Sequence, residues 1–298
     1  MFLKNTWYVA CQAHEISDKP LGRKICNEAM VFYKNAEGKV SAVQDFCPHR
    51  GAPLSLGRVC NGQLVCGYHG LVMGCDGHTV SMPGHQVRNF EPVKAYAVIE
   101  RYGFVWVWPG DQSKVDPAQM PTFEWFDNPK WAYGGGLYHI ACDYRLMIDN
   151  LMDLTHETYV HGSSIGNEAV VESPFHVTHD EQHVTVTRWM EGVEAPPFWA
   201  SQIQQARQHK GLVDRWQIIR FEAPATVTID VGVAPAGSGA IPSDGNAGDR
   251  SHGVNGFVLN TITPETDGSC HYFWAFARNY ALGEQALTHQ LREGVTRI

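Results

Sequence analysis

The stretch CPHRGAPLSLGRVCNGQLVCGYHG, residues 47–70, contains two short segments that each pair a cysteine with a histidine. The first segment reads Cys47-x-His49 and the second reads Cys66-x2-His69, with sixteen residues between them. Each segment is followed directly by a glycine or by one residue and then a glycine. Two thiolates and two imidazoles are a sufficient set of ligands for a metal site.

The pairing of unlike ligands within each segment favours one kind of metal centre. Zinc sites more often pair like ligands, as C-x2–4-C and H-x3–5-H halves. A Rieske 2Fe–2S cluster binds one iron through two thiolates and the other through two imidazoles, so two matching loops supply both irons. Gly51, Gly67 and Gly70 would let backbone N–H groups approach the bridging sulfides. Zinc, or side chains that hold no metal, remain the alternatives.

A second group of polar residues lies in DNLMDLTHETYVH, residues 149–161. The sequence predicts one helix over 145–162, on which Asn150, Asp153 and His156 form a polar stripe at steps of about 60°. His161 would lie about 140° from His156, so both reach one metal only if the helix loosens or ends between them. Two histidines and a carboxylate form the ligand triad of mononuclear Fe(II) oxygenases. A polar surface face, or core histidines paired with Asp, is the alternative.

The segments CPHRG and CGYHG resemble the two cluster loops of Rieske non-haem iron oxygenases. The D-x2-H-x4-H pattern that follows resembles the iron-binding segment of the same family. The resemblance implies two cofactors, a Rieske 2Fe–2S cluster and a mononuclear Fe(2+). The implied ligands are Cys47, His49, Cys66 and His69 for the cluster, and His156 and His161 for the iron.

The resemblance also implies how electrons would reach the iron. In the family, the Asp at the position of Asp153 is not a ligand but bridges an iron histidine and a cluster histidine of the neighbouring subunit. Carried over, Asp153 would link His156 to His69 of another chain, which implies a head-to-tail homotrimer. Asn150, on the same helical stripe, is a further catalytic candidate.

A third, carboxylate ligand of the iron is not evident in the chain. In the family it follows the last strand and a short helix, which here are CHYFWAFARNY and LGEQALTHQLREG. Glu284 and Glu293 match that position poorly, and Glu157 has no counterpart in the family. We therefore expect the third ligand beyond Ile298, in a chain that is truncated at its C-terminus.

The expected architecture is α+β with two domains. Short apolar runs separated by turn signals predict a β-rich segment over residues 1–110, and the proline-containing segment 111–121 is typical of a linker. The resemblance implies that residues 1–110 form an all-β Rieske domain. The resemblance implies that 111–298 form a helix-grip (START-like) catalytic domain with a curved antiparallel sheet. The Gly- and Ser-rich segment 234–253 is predicted to be a mobile loop.

Composition excludes several other classes of protein. The chain is 44% hydrophobic with a net charge of −8 and a pI of about 6.0, which argues against a general nucleic-acid binder and against a mainly disordered chain. It has no apolar run of 18 residues and no signal-peptide pattern at its start, so we expect a cytoplasmic protein without a membrane partner.

Longer segments, including ERYGFVWVWPGD and WAYGGGLYHIACDYRLMIDNLMDLTHETYVH, resemble the O-demethylase branch of the family. The resemblance implies conversion of 4-hydroxy-3-methoxybenzoate into the catechol acid and formaldehyde with O2. Electrons would come from NADH through a separate flavin and iron–sulfur reductase, consistent with the absence of a strand-linked GxGxxG motif in the sequence. The alternatives are another methylated or methoxylated aromatic substrate, or a non-catalytic electron-transfer or ligand-binding form.

A small aromatic acid needs a flat apolar pocket with polar ends. We expect aromatic and methionine side chains of the C-terminal half to form its walls: Met152, Phe198, Trp199, Phe273 and Trp274. Trp274 is the leading candidate for contact with the substrate, since its N–H can donate to a ligand oxygen. Asn260 and Arg278 are candidates for the polar ends, and a purely structural role is the alternative for all three.

Overall fold

The computed structural model describes residues 1–84, 86, 90–243 and 245–297, with side chains up to residue 294. The chain divides into two compact units. The first contains residues 1–122, 141–143 and 263–271, and the second contains residues 123–140, 144–262 and 272–298. Residues 111–121, expected as a linker, therefore belong to the first unit.

The first unit is built from short strands. They are β1 (Tyr8–Gln12), β2 (Leu21–Ile25), β3 (Glu28–Lys34), β4 (Val40–Gln44), β5 (Arg58–Cys60), β6 (Gln63–Val65), β7 (Val72–Met73), β8 (Thr79–Ser81), β9 (Ala95–Tyr96), β10 (Val98–Arg101) and β11 (Phe104–Val107). They form three sheets, with the orders β1-β11-β10, β2-β3-β4-β9 and β5-β6-β7-β8. The four-residue strand β11 is buried throughout, and the predicted all-β N-terminal domain is confirmed.

A tight hairpin in the third sheet positions the two cysteine–histidine segments. Asn61 and Gly62 connect β5 to β6 and both have positive φ, 50° and 71°, as a two-residue hairpin turn requires. The first segment lies between β4 and β5 and the second between β6 and β7. The antiparallel pairing of β5 with β6 therefore brings the end of one loop beside the start of the other.

The second unit contains a large sheet, and five helices lie among its described residues. Its strands are β12 (Ala132–Ile140), β13 (Phe175–His179), β14 (His183–Val193), β15 (Val213–Glu222), β16 (Thr226–Pro235), β17 (Val254–Thr266) and β18 (Ser269–Arg278). The end of β17 and the start of β18, within residues 263–271, belong to the first unit. Their order is β12-β18-β17-β16-β15-β14-β13. The helices are α1 (Tyr144–Met152), α2 (His156–Val160), α3 (Ala169–Glu172), α4 (Pro197–Arg207) and α5 (Gln285–Arg297). The predicted α+β class is thereby confirmed, and none of the helices described is long and apolar enough to cross a membrane.

The two faces of this sheet have different coverings. Helices α1 and α4 pack against β15 and β16. On β15 and β16, Trp216 and Ala234 belong instead to a small apolar cluster with Ala240, a residue of the segment predicted to be a mobile loop. Arg250 of the same segment forms an ion pair of 2.6 Å with Asp230. The described part of this segment is therefore anchored to the sheet by apolar packing and by one partly buried ion pair.

Candidate active site and cluster-binding loops

The two cysteine–histidine loops have the same backbone hydrogen bonds. The Cys47 N–H donates to the Ala52 carbonyl, and the Gly51 N–H donates back to the Cys47 carbonyl, at 2.9 and 2.8 Å. In the second loop, Cys66 bonds in the same way with Leu71 and Gly70, at 2.8 and 3.0 Å. Gly51 and Gly70 have φ of 72° and 71°, which glycine adopts without steric cost. The two segments are therefore equivalent turns that present equivalent side chains.

The four candidate ligands lie as a pair of thiols and a pair of imidazoles. Cys47 and Cys66 are each 2% exposed, and their thiols are hydrogen-bonded to each other. Burial raises the pKa of Cys47, and the adjacent Cys66 raises it further. The His49 and His69 rings lie with their centroids 4.7 Å apart, and His69 is exposed at the surface. A buried sulfur pair and an imidazole pair of which His69 is exposed fit the two irons of a Rieske cluster.

The predicted helix over 145–162 is wrong in one respect, because the structure has two helices there. Helix α1 ends at Met152 and α2 begins at His156. Between them the Asp153 carboxylate accepts hydrogen bonds from the N–H of Thr155, at 3.0 Å, and from its hydroxyl. An Asp side chain that bonds to nearby backbone competes with the helical hydrogen bonds and so interrupts the helix.

The interruption changes how the two candidate iron ligands are presented. His156 opens α2, and His161 follows its last residue with φ of −115° and ψ of 20°, outside helical geometry. The two rings lie with their centroids 5.4 Å apart. The His156 Nδ1 is 2.7 Å from the Asp153 carbonyl oxygen, to which it donates as the Nδ1–H tautomer, and Nε2 is then left to bind a metal. Burial lowers the pKa of His161, and so does the adjacent His156, which favours the neutral, metal-binding imidazole.

The Asp153 carboxylate is exposed at the surface of the second unit. Its pKa is lowered chiefly by the hydrogen bonds from Thr155. Asp153 therefore has an exposed, ionised carboxylate, while its backbone carbonyl holds the His156 ring. The carboxylate is suitably placed to accept a hydrogen bond from another chain. The bridge to His69 of a neighbouring subunit stays a prediction.

A cavity of about 360 Å³ lies in the second unit beside these histidines. Its wall is mainly apolar, and the described lining residues are Tyr138, Ile140, Met147, Asn150, Leu151, Leu154, His156, Glu157, His161, Ile165, Phe198, Trp199, Arg215, Gln217, Ile229, Val231, Val258, Asn260, Tyr272, Trp274 and Phe276. The cavity thus brings together both iron-ligand candidates, Asn150, and three of the aromatic residues expected in its walls.

Two residues expected in the walls do not line this cavity. Phe273 is fully buried, but on β18 it alternates with Tyr272 and Trp274, which do line it, and successive strand residues point to opposite faces. Met152 is the last residue of α1, just before the chain leaves the helix. The sequence identified the aromatic strand, but the strand register selects which of its residues face the cavity.

Trp274 and Asn260 both line the cavity, but they differ in their hydrogen bonds. The Trp274 N–H is buried and has no hydrogen-bond partner in the described part of the chain. The Asn260 amide is already bonded at both ends: it donates to the Val227 carbonyl at 3.1 Å and accepts from the Tyr272 hydroxyl at 2.7 Å. Trp274 therefore has a buried donor without a partner among the described residues, whereas the Asn260 amide is bonded at both ends within the wall.

Arg278 does not contribute to this cavity. Its guanidinium donates to four oxygens that follow β18 in the chain: the carbonyls of Tyr280, Ala281 and Glu284, and the hydroxyl of Thr288. These bonds fix the connection between β18 and α5. The expectation that Arg278 binds one end of the substrate is therefore corrected to a structural role.

The cavity wall also contains a charged network that the sequence did not predict as part of the pocket. Arg215 and Gln217, on β15, both donate to the Glu157 carboxylate, and all three side chains line the cavity. Burial raises the pKa of Glu157, while the charge of Arg215 acts in the opposite direction. The available signal was weak: Arg215 and Gln217 occupy alternate positions of β15, but the strand also contains Asp214, Arg220 and Glu222.

The third iron ligand stays a prediction. Within the described residues, no set of three or more His, Cys, Asp or Glu side chains converges on one point. Glu157 adjoins His156 but is bonded to Arg215 and Gln217, and neither Glu284 nor Glu293 lines the cavity. His156 and His161 fit two positions of an iron site, and the other described acids supply no third.

Comparisons with known proteins identify a family for each part of the chain. Residues 6–97 match the Rieske 2Fe–2S domain, and residues 140–298 match the vanillate O-demethylase oxygenase C-terminal domain. The chain is 56% identical to the vanillate O-demethylase oxygenase subunit of Pseudomonas sp. (strain HR199 / DSM 7063), over 100% of this chain and 83% of that one. It is 34% identical to the oxygenase component of dicamba O-demethylase from Stenotrophomonas maltophilia, over 98% of this chain and 83% of the relative.

Solved structures show the same fold. Dicamba monooxygenase bound to 3,6-dichlorosalicylic acid superimposes with a TM-score of 0.88 at 33% identity, over 98% of this chain and 83% of that one. The same enzyme with non-heme iron and dicamba gives a TM-score of 0.82 at 31% identity, over 98% and 81%.

A cluster-binding β domain followed by a sheet domain with paired histidines at an apolar cavity defines the class of Rieske non-haem iron oxygenases. The chain belongs to the vanillate O-demethylase oxygenase family within that class. Its cofactors are a Rieske 2Fe–2S cluster and a mononuclear iron, and it is an oxidoreductase that works with a separate reductase.

Proposed function

We propose that this protein O-demethylates vanillate, 4-hydroxy-3-methoxybenzoate, to protocatechuate and formaldehyde. The balanced reaction converts the methyl ether, O2, NADH and a proton into the phenol, formaldehyde, water and NAD+. Two curated relatives at 56% and 54% identity are named vanillate O-demethylase oxygenase subunits, which supports this substrate.

One observation carries the proposal. His156 and His161 lie at the wall of an apolar cavity of about 360 Å³, and the Trp274 N–H in the same wall has no hydrogen-bond partner among the described residues. Such a cavity suits a flat ring with an oxygen-bearing substituent, because a buried donor without a partner is stabilised by an incoming acceptor. We assign that acceptor to the substrate carboxylate.

The side chains of the chain have separate tasks in this reaction. When bound, the iron supplies O2 activation and the cluster supplies electrons. His156 keeps its Nδ1 proton on the Asp153 carbonyl, which holds the ring in one orientation. Phe198, Trp199 and Phe276 exclude water from the ring of the substrate.

The remaining partners belong to the same proposal. Electrons come from NADH through a flavin and iron–sulfur reductase, and they pass between subunits of a homotrimer through Asp153. We place this activity in the cytoplasm, where NADH is available. A trimer is measurable by sedimentation or light scattering, and a monomer at working concentration would contradict the relay between subunits.

The test is anaerobic reconstitution of the full chain with iron and sulfide, followed by turnover with a reductase, NADH and O2. Protocatechuate and formaldehyde should appear in equal amounts with vanillate. Dicamba and toluene-4-sulfonate, the substrates named for more distant relatives, serve as comparisons. Faster turnover of either would transfer the proposal to that substrate, and no turnover with any of them would favour the non-catalytic form.

A further inference from the structure

One wall of the cavity contains a carboxylate that accepts hydrogen bonds at only one of its two oxygens among the described residues. Glu157 is 6% exposed, and both its donors reach the same oxygen, Oε2: the Arg215 guanidinium at 3.0 Å and the Gln217 amide at 2.7 Å. In the described part of the chain Oε1 receives no hydrogen bond. Because a carboxylate can accept at both oxygens, a buried one with an unused oxygen is stabilised by a further donor.

The network around Glu157 is rigidly held. Arg215 also donates to Asn167 at 3.1 Å and to the Ile165 carbonyl at 2.9 Å, and Gln217 accepts from Arg188 at 3.2 Å. Arg215 and Gln217 are 2% and 0% exposed. The carboxylate therefore keeps a fixed position in the wall instead of turning away when a ligand enters.

Glu157 lies in the cavity wall next to the candidate iron ligand His156. It directly follows His156, and it is the one acid among the described lining residues. Trp274 lies on β18, three strands from β15 in the sheet order, so the two polar regions belong to different sides of the cavity. A ring whose carboxylate reaches Trp274 would place its far side near the histidines and Glu157.

We propose that Glu157 accepts a hydrogen bond from a phenolic hydroxyl adjacent to the methoxy group of the substrate. The preferred substrates are then methoxybenzoic acids with a free hydroxyl ortho to the methoxy group. A carboxylate paired with Arg215 can only accept, and a phenol is a donor at neutral pH. This inference rests on the proposed O-demethylase function.

The rival interpretation is that the Glu157–Arg215 pair is purely structural and fixes α2. The two interpretations differ in ligand dependence. A structural defect weakens the binding of every substrate, whereas loss of a specific acceptor affects only substrates that carry the hydroxyl.

The experiment compares 4-hydroxy-3-methoxybenzoate with 3-methoxybenzoate on the full, cluster- and iron-loaded protein. Binding is measured anaerobically by calorimetry, and kcat/KM is measured with the reductase. For Glu157→Gln we expect roughly tenfold weaker binding of the hydroxylated ligand and less than about twofold change for the other. Glu168→Gln, an exposed acid at the start of α3, is the matched control and should change neither.

Equal losses for both ligands, or a wild-type protein that does not distinguish them, would overturn the inference while the O-demethylase function stands. No binding or turnover of vanillate by the wild type would instead overturn the function. If Glu157→Gln leaves Arg215 unpaired and the protein misfolds, the double variant Glu157→Gln with Arg215→Gln removes both buried charges. It should show the same selective loss, and an unselective loss in a folded double variant contradicts the role of Glu157.

Discussion

Gly136 on β12 and Trp274 on the neighbouring strand β18 approach so closely that a methyl group on Gly136 would lie 2.9 Å from the indole Nε1. Further ring atoms would lie 3.2 and 3.3 Å from it. The glycine therefore leaves the space that the indole ring of Trp274, a residue of the cavity wall, occupies.

Gly136→Ala should displace the indole and weaken substrate binding by roughly tenfold, because the N–H loses its alignment with the carboxylate. Calorimetric titration with vanillate measures this loss. The visible spectrum of the cluster should be unchanged, since the Rieske domain is a separate compact unit. Binding as tight as in the wild type would show that the N–H does not contact the ligand.

Trp274→Phe tests the same contact without crowding. The variant keeps an aromatic wall and removes only the donor, so we expect KM to rise by roughly tenfold with a smaller change in kcat. Steady-state kinetics with vanillate separates the two parameters. Phe198→Leu removes an aromatic wall without touching the donor, and a similar KM for both variants would assign Trp274 a packing role.

His69→Ala should abolish the visible absorption of the Rieske cluster, because one iron loses half of its protein ligands. His78→Ala is the control, since His78 is an exposed histidine in the same unit. Iron and sulfide analysis should give a cluster for the control alone. A retained absorption band in the His69 variant would remove His69 from the ligand set.

Asp153→Ala should leave both metals bound and slow turnover by at least about tenfold, because the relay to the next subunit is lost. Stopped-flow reoxidation of the reduced cluster in the presence of substrate measures the transfer directly. Asp149→Ala, one turn earlier on α1, is the control. Normal reoxidation in the Asp153 variant would contradict the bridge between subunits.

Glu28 makes the stability of the first unit depend on pH. Its burial raises the carboxyl pKa, but hydrogen bonds from Lys4, Lys94 and Tyr96 outweigh this and lower the pKa to about 2 from an ordinary 4.5. The stabilisation is therefore complete above pH 4.5 and is lost as the pH falls toward 2. Urea unfolding at pH 7 and 3.5 should show that Glu28→Gln is less stable than the wild type at pH 7 and closer to it at pH 3.5. A pH-independent difference would contradict this.

The turn geometry of the two cysteine–histidine loops could be predicted from the sequence because their candidate ligands are local. Each loop holds its cysteine and histidine within four residues, and each depends on a glycine with positive φ, as at Gly51 and Gly70. The unlike ligand pairs within each segment already favoured a two-iron cluster over zinc. The tertiary structure only brings together two segments that a short hairpin already connects.

The cavity could be predicted only in part. The sequence indicated the histidines, but a continuous helix places His156 and His161 on different faces, and the interruption at Asp153 depends on a side-chain bond to Thr155. Arg278 was misassigned because an arginine at the end of a strand gives the same sequence pattern in two cases. Its side chain can bind a ligand, or it can bind the backbone of the segment that follows.

By itself the sequence determined the chemistry of the redox centres, because metal ligation depends on residue types at short spacing. Only the tertiary structure decided which side chains form the substrate pocket. Glu157, Arg215 and Trp274 come from three separate segments of the chain, and strand register and burial, which are non-local, determine that they share one cavity.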